Sequence, residues 1–313
     1  MIRPILSAAA CGALLAACAA GEGEAALPPY EPPATLAEAT EGPAAVALYR
    51  AGDEDTTVYL MGTIHILRGG VDWKTPAYEA AFAEADAIYV EADTSPEVAG
   101  ALQPVVMELG LNPPGTVFAD YFGEDERAEL AAALQEFGMP IEGLAPMRPW
   151  LASITLGVVG IQKLGGDPEA GVEKMIEADA AIAGTPVRTL ETAEQQLRIL
   201  AGVPDRAWAD SLVADMDQFS DLEGYFAHMV GAWYDGRMDA LDAVMNDGLA
   251  QSPEVADAVL YARNEDWAGQ LAELIETEAG TFLVAVGAAH LAGERSVQDY
   301  LGRAGYEARR VGE

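Results

Sequence analysis

The chain has 313 residues, with 51 Asp and Glu against 17 Lys and Arg, and a formal net charge of −34 at pH 7. That balance opposes nucleic-acid binding and adsorption to anionic membranes, because like charge would meet like. A hydrophobic fraction of 51% is ample for one large domain, or for a domain with an inserted lobe.

A short basic start, Met1-Ile2-Arg3, leads into an apolar stretch ending at Ala17. It is too short to span a bilayer and reads as a secretory signal over residues 1–17. Leu15-Ala16-Ala17-Cys18 has the form of a bacterial lipobox, which predicts Cys18 as the acylated first residue of the mature protein. The alternative is a plain signal peptide cut after an Ala-x-Ala site, which would leave a soluble periplasmic protein. Cys11 lies in the removed segment. Acylation of Cys18 then leaves no thiol for a nucleophile, a thiolate metal site or a disulfide. Ala19, rather than Asp, follows the cysteine, so the expected destination in a Gram-negative cell is the periplasmic face of the outer membrane. Residues 18–40, rich in Ala, Glu, Gly and Pro, read as the lipidated cysteine and a flexible tether. Residues 41–313 read as the domain.

The domain opens with strands at 46–50 and 57–61 around Gly52-Asp53-Glu54-Asp55, a hairpin turn. A helix from Thr75-Pro76 to about Ala85 and a strand at 87–90 follow, which with the preceding strand predict a βαβ unit and parallel pairing. The middle of the chain reads as mostly helical. Helices are expected at 124–137, 147–164 and 168–183, then a strand near 186–190. Further helices are expected at 194–200, 208–228, 238–245 and 254–277. A core strand at 281–286, a helix at 297–304 and a short strand at 307–311 close the chain. The expected fold is α/β: a mixed, mainly parallel sheet flanked by helices, with a largely helical lobe over about 120–280.

One local frame occurs twice. Apolar runs end in Gly62-Thr63-Ile64-His65 and in Gly287-Ala288-Ala289-His290, and these hold two of the chain's three histidines. Two other predicted strands end in Glu91, with Asp93 close by, and in Glu191. The carboxyl edge of a parallel sheet is where ligands gather, so four polar strand ends point to one site. Two imidazoles with one or two carboxylates suit a divalent ion that activates water, and Mn, Co, Zn and Fe all accept such donors. His65, His290 and Glu91 are the candidate ligands, and Glu91 or Glu191 the candidate proton acceptor. Arg263 and Asn264, adjacent on an otherwise Ala-, Leu- and Glu-rich helix, could clamp a carboxylate or stabilise an oxyanion. His228, in an aromatic helical stretch, reads as packing or surface.

These pieces resemble the TraB/GumN family. The matching set is Gly62–His65, the Glu91 strand end, Leu190-Glu191-Thr192 with Glu194-Gln195-Gln196-Leu197, Arg263-Asn264 with Trp267, and Gly287–Leu291, in order from about residue 44 to 311. The resemblance implies a fold related to erythromycin-esterase-like and haem-binding ChaN-like proteins. It also implies a metal-dependent hydrolase, since the animal relatives include the TIKI membrane-tethered metalloproteases. By position His65 and His290 take the paired histidine roles, Glu91 the acidic role and Arg263 the basic role. The expected activity is lipid-anchored, metal-dependent hydrolysis of a peptide or small molecule. The alternative is a non-catalytic lipoprotein that binds haem, a metal or a peptide signal.

Overall fold

In the computed structural model, strands β1 (Leu48–Gly52) and β2 (Thr56–Thr63) pair antiparallel across the predicted turn. The Asp53 carboxylate closes that turn by accepting from the Asp55 and Thr56 N–H groups. The structure describes residues 28–136, 138–216, 221–249 and 252–312, so the predicted signal segment and Cys18 lie outside the described residues. From Glu31 onward the chain clusters as one unit.

The remaining strands are β3 (Leu67–Arg68), β4 (Ala87–Val90), β5 (Gly166–Asp167), β6 (Val187–Thr189), β7 (Gly280–Gly287) and β8 (Arg309–Arg310). Six of them form a sheet in the order β6-β4-β7-β2-β1-β8, parallel from β6 through β2 and antiparallel at β1 and β8. β3 and β5 pair separately. The βαβ expectation is right in direction but not in adjacency, because β7, from the far end of the chain, lies between β2 and β4. β7 is buried from Phe282 to Val286 without alternation, as a central strand covered on both faces must be.

Helices α1 (Pro76–Glu84) and α2 (Pro96–Gly110) begin with proline after a capping hydroxyl, Thr75 and Ser95, which accept from the Tyr78 and Val98 N–H groups. α3 (Glu124–Glu136), α4 (Pro149–Lys163), α5 (Val172–Ala183), α6 (Ala193–Gly202) and α7 (Asp205–Ala214) follow. Then come α8 (Leu222–Tyr234), α9 (Met238–Leu249), α10 (Pro253–Ala256), a π-turn at Asp257–Tyr261, α11 (Ala262–Thr277) and α12 (Val297–Arg303).

The structure corrects four expectations. α2 was not expected; Pro104 in its middle breaks the apolar pattern. The single helix expected over 208–228 is interrupted: among the described residues α7 ends at Ala214 and α8 begins at Leu222, capped by the Asp221 side chain on the Gly224 N–H. The helical lobe ends before α11, whose Trp267, Leu271 and Leu274 pack with β2 and β7 in the core of the sheet. Residues near 36–39, expected in a flexible tether, pack on the domain instead, since Leu36 and Ala39 are buried. The lobe has its own core, in which Phe118, Leu130 and Leu134 meet Leu156 and Leu212. Among the described residues, no helix is long and apolar enough to cross a membrane.

Candidate functional site

Since β2, β7, β4 and β6 run parallel, their carboxyl ends share one edge, and His65, His290, Glu91 and Glu191 emerge there together. Arg263 arrives from α11, two residues after the π-turn ends at Tyr261, and lies among them.

The guanidinium uses all five of its N–H groups inside the protein. Nη2 donates to Glu91 Oε2 at 2.6 Å and to Glu191 Oε1 at 2.5 Å, and Nε donates to Glu191 Oε2 at 3.3 Å. Nη1 donates to the Val259 carbonyl at 2.8 Å and faces His290 Nε2 at 3.2 Å. The fork therefore ties two buried carboxylates to one imidazole instead of presenting an N–H to the open side. It also stacks over Trp267, with 4.5 Å from the guanidinium carbon to the ring centroid.

Each histidine is anchored through Nδ1. The Asn264 amide donates to the Arg295 carbonyl at 2.8 Å, which turns its oxygen toward His290 Nδ1 at 2.5 Å. The His290 proton is thus on Nδ1, and Nε2 is left with its lone pair. Burial drives the His290 pKa down to about 3, with the Glu91 charge opposing, so the ring is neutral. His65 Nδ1 meets Glu173 Oε1 at 2.6 Å, and Thr63 Oγ1 donates to the same oxygen. The Glu173 charge raises His65 to about 9 against the opposing effect of desolvation. The ring lies inside a cavity yet keeps 65% of its side-chain surface accessible.

For Glu91, burial alone would raise the carboxyl. The neighbouring His290, His65 and Arg263 outweigh it, together with a 2.7 Å bond from the Gly287 N–H, and hold the carboxyl down at about 2. Gln196 donates to its other oxygen at 3.3 Å. Burial raises Glu191, although its bonds to Arg263 act in the other direction.

Gly287 is the point where these groups meet. A Cβ there would stand 3.1 Å from Glu91 Oε1, 3.3 Å from His65 Nε2 and 3.5 Å from His290 Cδ2. Any side chain at this position would push into the site, which is the local reason for glycine in the second frame. In the first frame, a Cβ on Gly62 would lie 2.9 Å from the Ala288 Cα, so that glycine lets the two chain turns pack.

Whether these donors fit a divalent transition metal can be tested on their kind and anchoring. His65 Nε2 and Glu91 Oε1 meet at Gly287 with the His290 ring beside them, and Nδ1 of each ring is held by a carboxylate or carboxamide, as metal-binding histidines usually are. His290 Nε2 and Glu91 Oε1 are 3.6 Å apart. Two donors on one tetrahedral ion, each bonded at ~2.1 Å, stand roughly 3.4 Å apart. Among the described residues, no three His, Cys, Asp or Glu side chains already close into a coordination shell, and Arg263 Nη1 covers the His290 lone pair. The set fits in donor type and support, provided Nη1 yields that position and His65, held protonated by Glu173, gives up its Nε2 proton to the ion.

The family model described as TraB/PrgY/gumN matches residues 47–310. The chain belongs to the TraB/PrgY/gumN family. It is similar to the "Uncharacterized protein YbaP" of Escherichia coli (strain K12), 27% identical over 219 residues that cover 69% of this chain and 77% of that one. The protein of the same description from Shigella flexneri matches to the same extent. No solved structure matches. The TraB/PrgY/gumN span runs from just before β1 to the end of β8 and contains every residue of this cluster.

Other candidates fall elsewhere. Asp93 turns outward and accepts from the Ser95 N–H ahead of α2. His228 is half-buried on α8 and does not line the cavity. Asn264 fixes His290 and does not face the cavity. Sequence reading missed Glu173. An acidic residue in the first turn of a helix looks like an ordinary dipole partner. Its role follows from the start of α5 packing on the His65 turn, where Val172 N–H donates to the Ile64 carbonyl. Gln196 stood in the matching run, but without a role.

Proposed function

We propose that this chain is a metal-dependent hydrolase of amide or ester bonds, with peptides the leading substrate class. Nε2 of His65, Nε2 of His290 and Oε1 of Glu91 would hold the ion. Bound there, a divalent ion supplies Lewis acidity and water of lowered pKa. The observation that carries the reading is that Glu91 Oε1 and His65 Nε2 meet at Gly287 with the His290 ring beside them, its Nε2 3.6 Å from Glu91 Oε1, and that both imidazoles are anchored through Nδ1.

The chain's own residues divide the remaining work. Glu91, held at about 2, is ionised throughout the physiological range, which suits a ligand better than a base. Glu191, whose carboxyl is raised by burial, is as buried as Glu91 and is not among the residues bordering the cavity; it is the carboxylate not needed as a ligand, so we assign it the proton transfer. Arg263 positions the two carboxylates and does not act on substrate, since its N–H groups are engaged. Asn264 keeps the His290 lone pair on Nε2. The lipobox at Leu15–Cys18 supports a domain held by an acylated Cys18 at the periplasmic face of the outer membrane.

The test is metal content by mass spectrometry, beside cleavage of a peptide library. Wild type is expected to carry about one equivalent of a transition metal, and His65→Ala and His290→Ala to lose it. Glu191→Gln is expected to keep the metal and lose turnover. Full metal content in both histidine variants would overturn the site.

A further inference from the structure

The cavity over the site is larger and more apolar than cleavage of one bond requires. It encloses about 630 Å³, within the range that holds a drug-sized molecule. His65, Glu91, Arg263 and His290 border it, and much of the rest is apolar wall from α4, α7, α8 and α9, including Val158, Trp208, Phe226 and Met229.

Gly157 stands on that wall in the middle of α4, where glycine weakens a helix relative to alanine. Gly157 is exposed and a Cβ built there meets no atom within 4 Å, as at the helical glycines Gly100, Gly202 and Gly269, but unlike them it borders the cavity. Gly110, Gly166 and Gly171 differ, because a Cβ on them would come within 2.7, 2.8 and 2.3 Å of other atoms. What a larger side chain at position 157 would take up is cavity space. Ile154, three residues earlier in α4, also lines the cavity and is left 39% exposed.

We propose that the site selects substrates with a bulky uncharged apolar group, such as an aromatic or branched aliphatic peptide side chain, seated against Gly157 beside the bond to be cleaved. This rests on the hydrolase reading above. The overall charge of −34 disfavours an anionic occupant at long range, while inside the cavity Glu91 and Asp215 are met by Arg263 and the His65 imidazolium, so the selection rests on the apolar wall.

The mature protein, as purified from cells, is titrated with N-phenyl-1-naphthylamine, an uncharged dye, beside Gly157→Phe prepared identically, so that dye bound elsewhere cancels. The dye is expected to bind saturably, to be displaced by 1-octanol and not by octanoate, and to bind at least tenfold more weakly to Gly157→Phe. The melting temperature of that variant should not fall. If Gly157→Phe does not fold, Gly157→Leu and Val158→Trp carry the same test. In parallel, uncharged fluorogenic peptides that differ at one position (Phe, Leu, Gly or Glu) are assayed for cleavage. Equal dye affinity in a well-folded Gly157→Phe, displacement by octanoate as readily as by octanol, or cleavage indifferent to an apolar side chain would overturn the proposal. A dye site that Gly157→Phe closes, with no peptide cleaved, would uphold the apolar seat and count against the hydrolase reading alone.

Discussion

At the scale of single residues, Arg263 decides whether the site can exist. Glu91 and Glu191 are buried side by side, and one guanidinium pairs with both while bonding His290. Removing one partner of a buried ion cluster costs about 3–5 kcal/mol, because the remaining charges have neither water nor a partner. Arg263→Met is therefore expected to lose about that much stability in urea unfolding at pH 7. Without the guanidinium, both carboxyls gain a reason to take up protons, so their folded-state pKa values rise. The deficit should then shrink as pH falls toward 5, since the variant binds more protons on folding than wild type, in which Arg263 helps hold Glu91 at about 2. A deficit that is constant with pH would mean the carboxylates find other partners. His65, Glu91, Glu191 and His290 were legible in the sequence because each is a polar residue at or just beyond the end of an apolar run. Their mutual bonding was not. Arg263 meets them from a helix 72 residues beyond Glu191, and Glu173 meets His65 only because α5 packs on the β2 turn.

At the scale of elements, the strands were read more reliably than the helices, and the reason is physical. β7 and β4 are short buried runs whose burial is set by neighbouring strands on both sides. Helix ends depend on caps and on prolines whose effect varies with context. Pro96 opens α2, whereas Pro104 sits inside it without ending it. Asp221 starts a second helix where apolar spacing alone suggested one continuous helix. α4 offers a clean test of propensity against space. If Gly157 is retained for cavity volume and not for packing, Gly157→Ala should stabilise the protein by about 0.4–1 kcal/mol. The methyl group meets nothing, and the helix gains a better residue. Calorimetric unfolding would show a higher melting temperature. A lower one would mean that the backbone of α4 needs glycine for a conformational reason, which would also remove the argument for an apolar seat.

At the scale of the whole molecule, topology places the two equivalent frames side by side. β2 and β7 are parallel neighbours with Thr63 opposite Gly287, so two histidines 225 positions apart in sequence leave the same edge of the sheet. Charge acts over the same distance. If every one of the 17 Lys and Arg residues is matched with one carboxylate, 51 − 17 leaves 34 without a cation. Pairs such as Arg188 with Glu278 and Arg309 with Glu307 are exposed, and exposed pairs contribute little, typically below about 1 kcal/mol each. Repulsion among the excess carboxylates is summed over the whole surface and destabilises the compact state. Potassium chloride screens both effects, shortening the Debye length from about 30 Å at 0.01 M to about 10 Å at 0.1 M. Since the repulsive sum exceeds the few attractive pairs, the melting temperature is expected to rise by several degrees between those two concentrations at pH 7.5. Differential scanning calorimetry measures it directly, and chloride avoids the surface exclusion that sulfate would add. A flat or falling melting temperature would mean that the ion pairs, few as they are, hold the fold more strongly than 34 surplus charges push it apart.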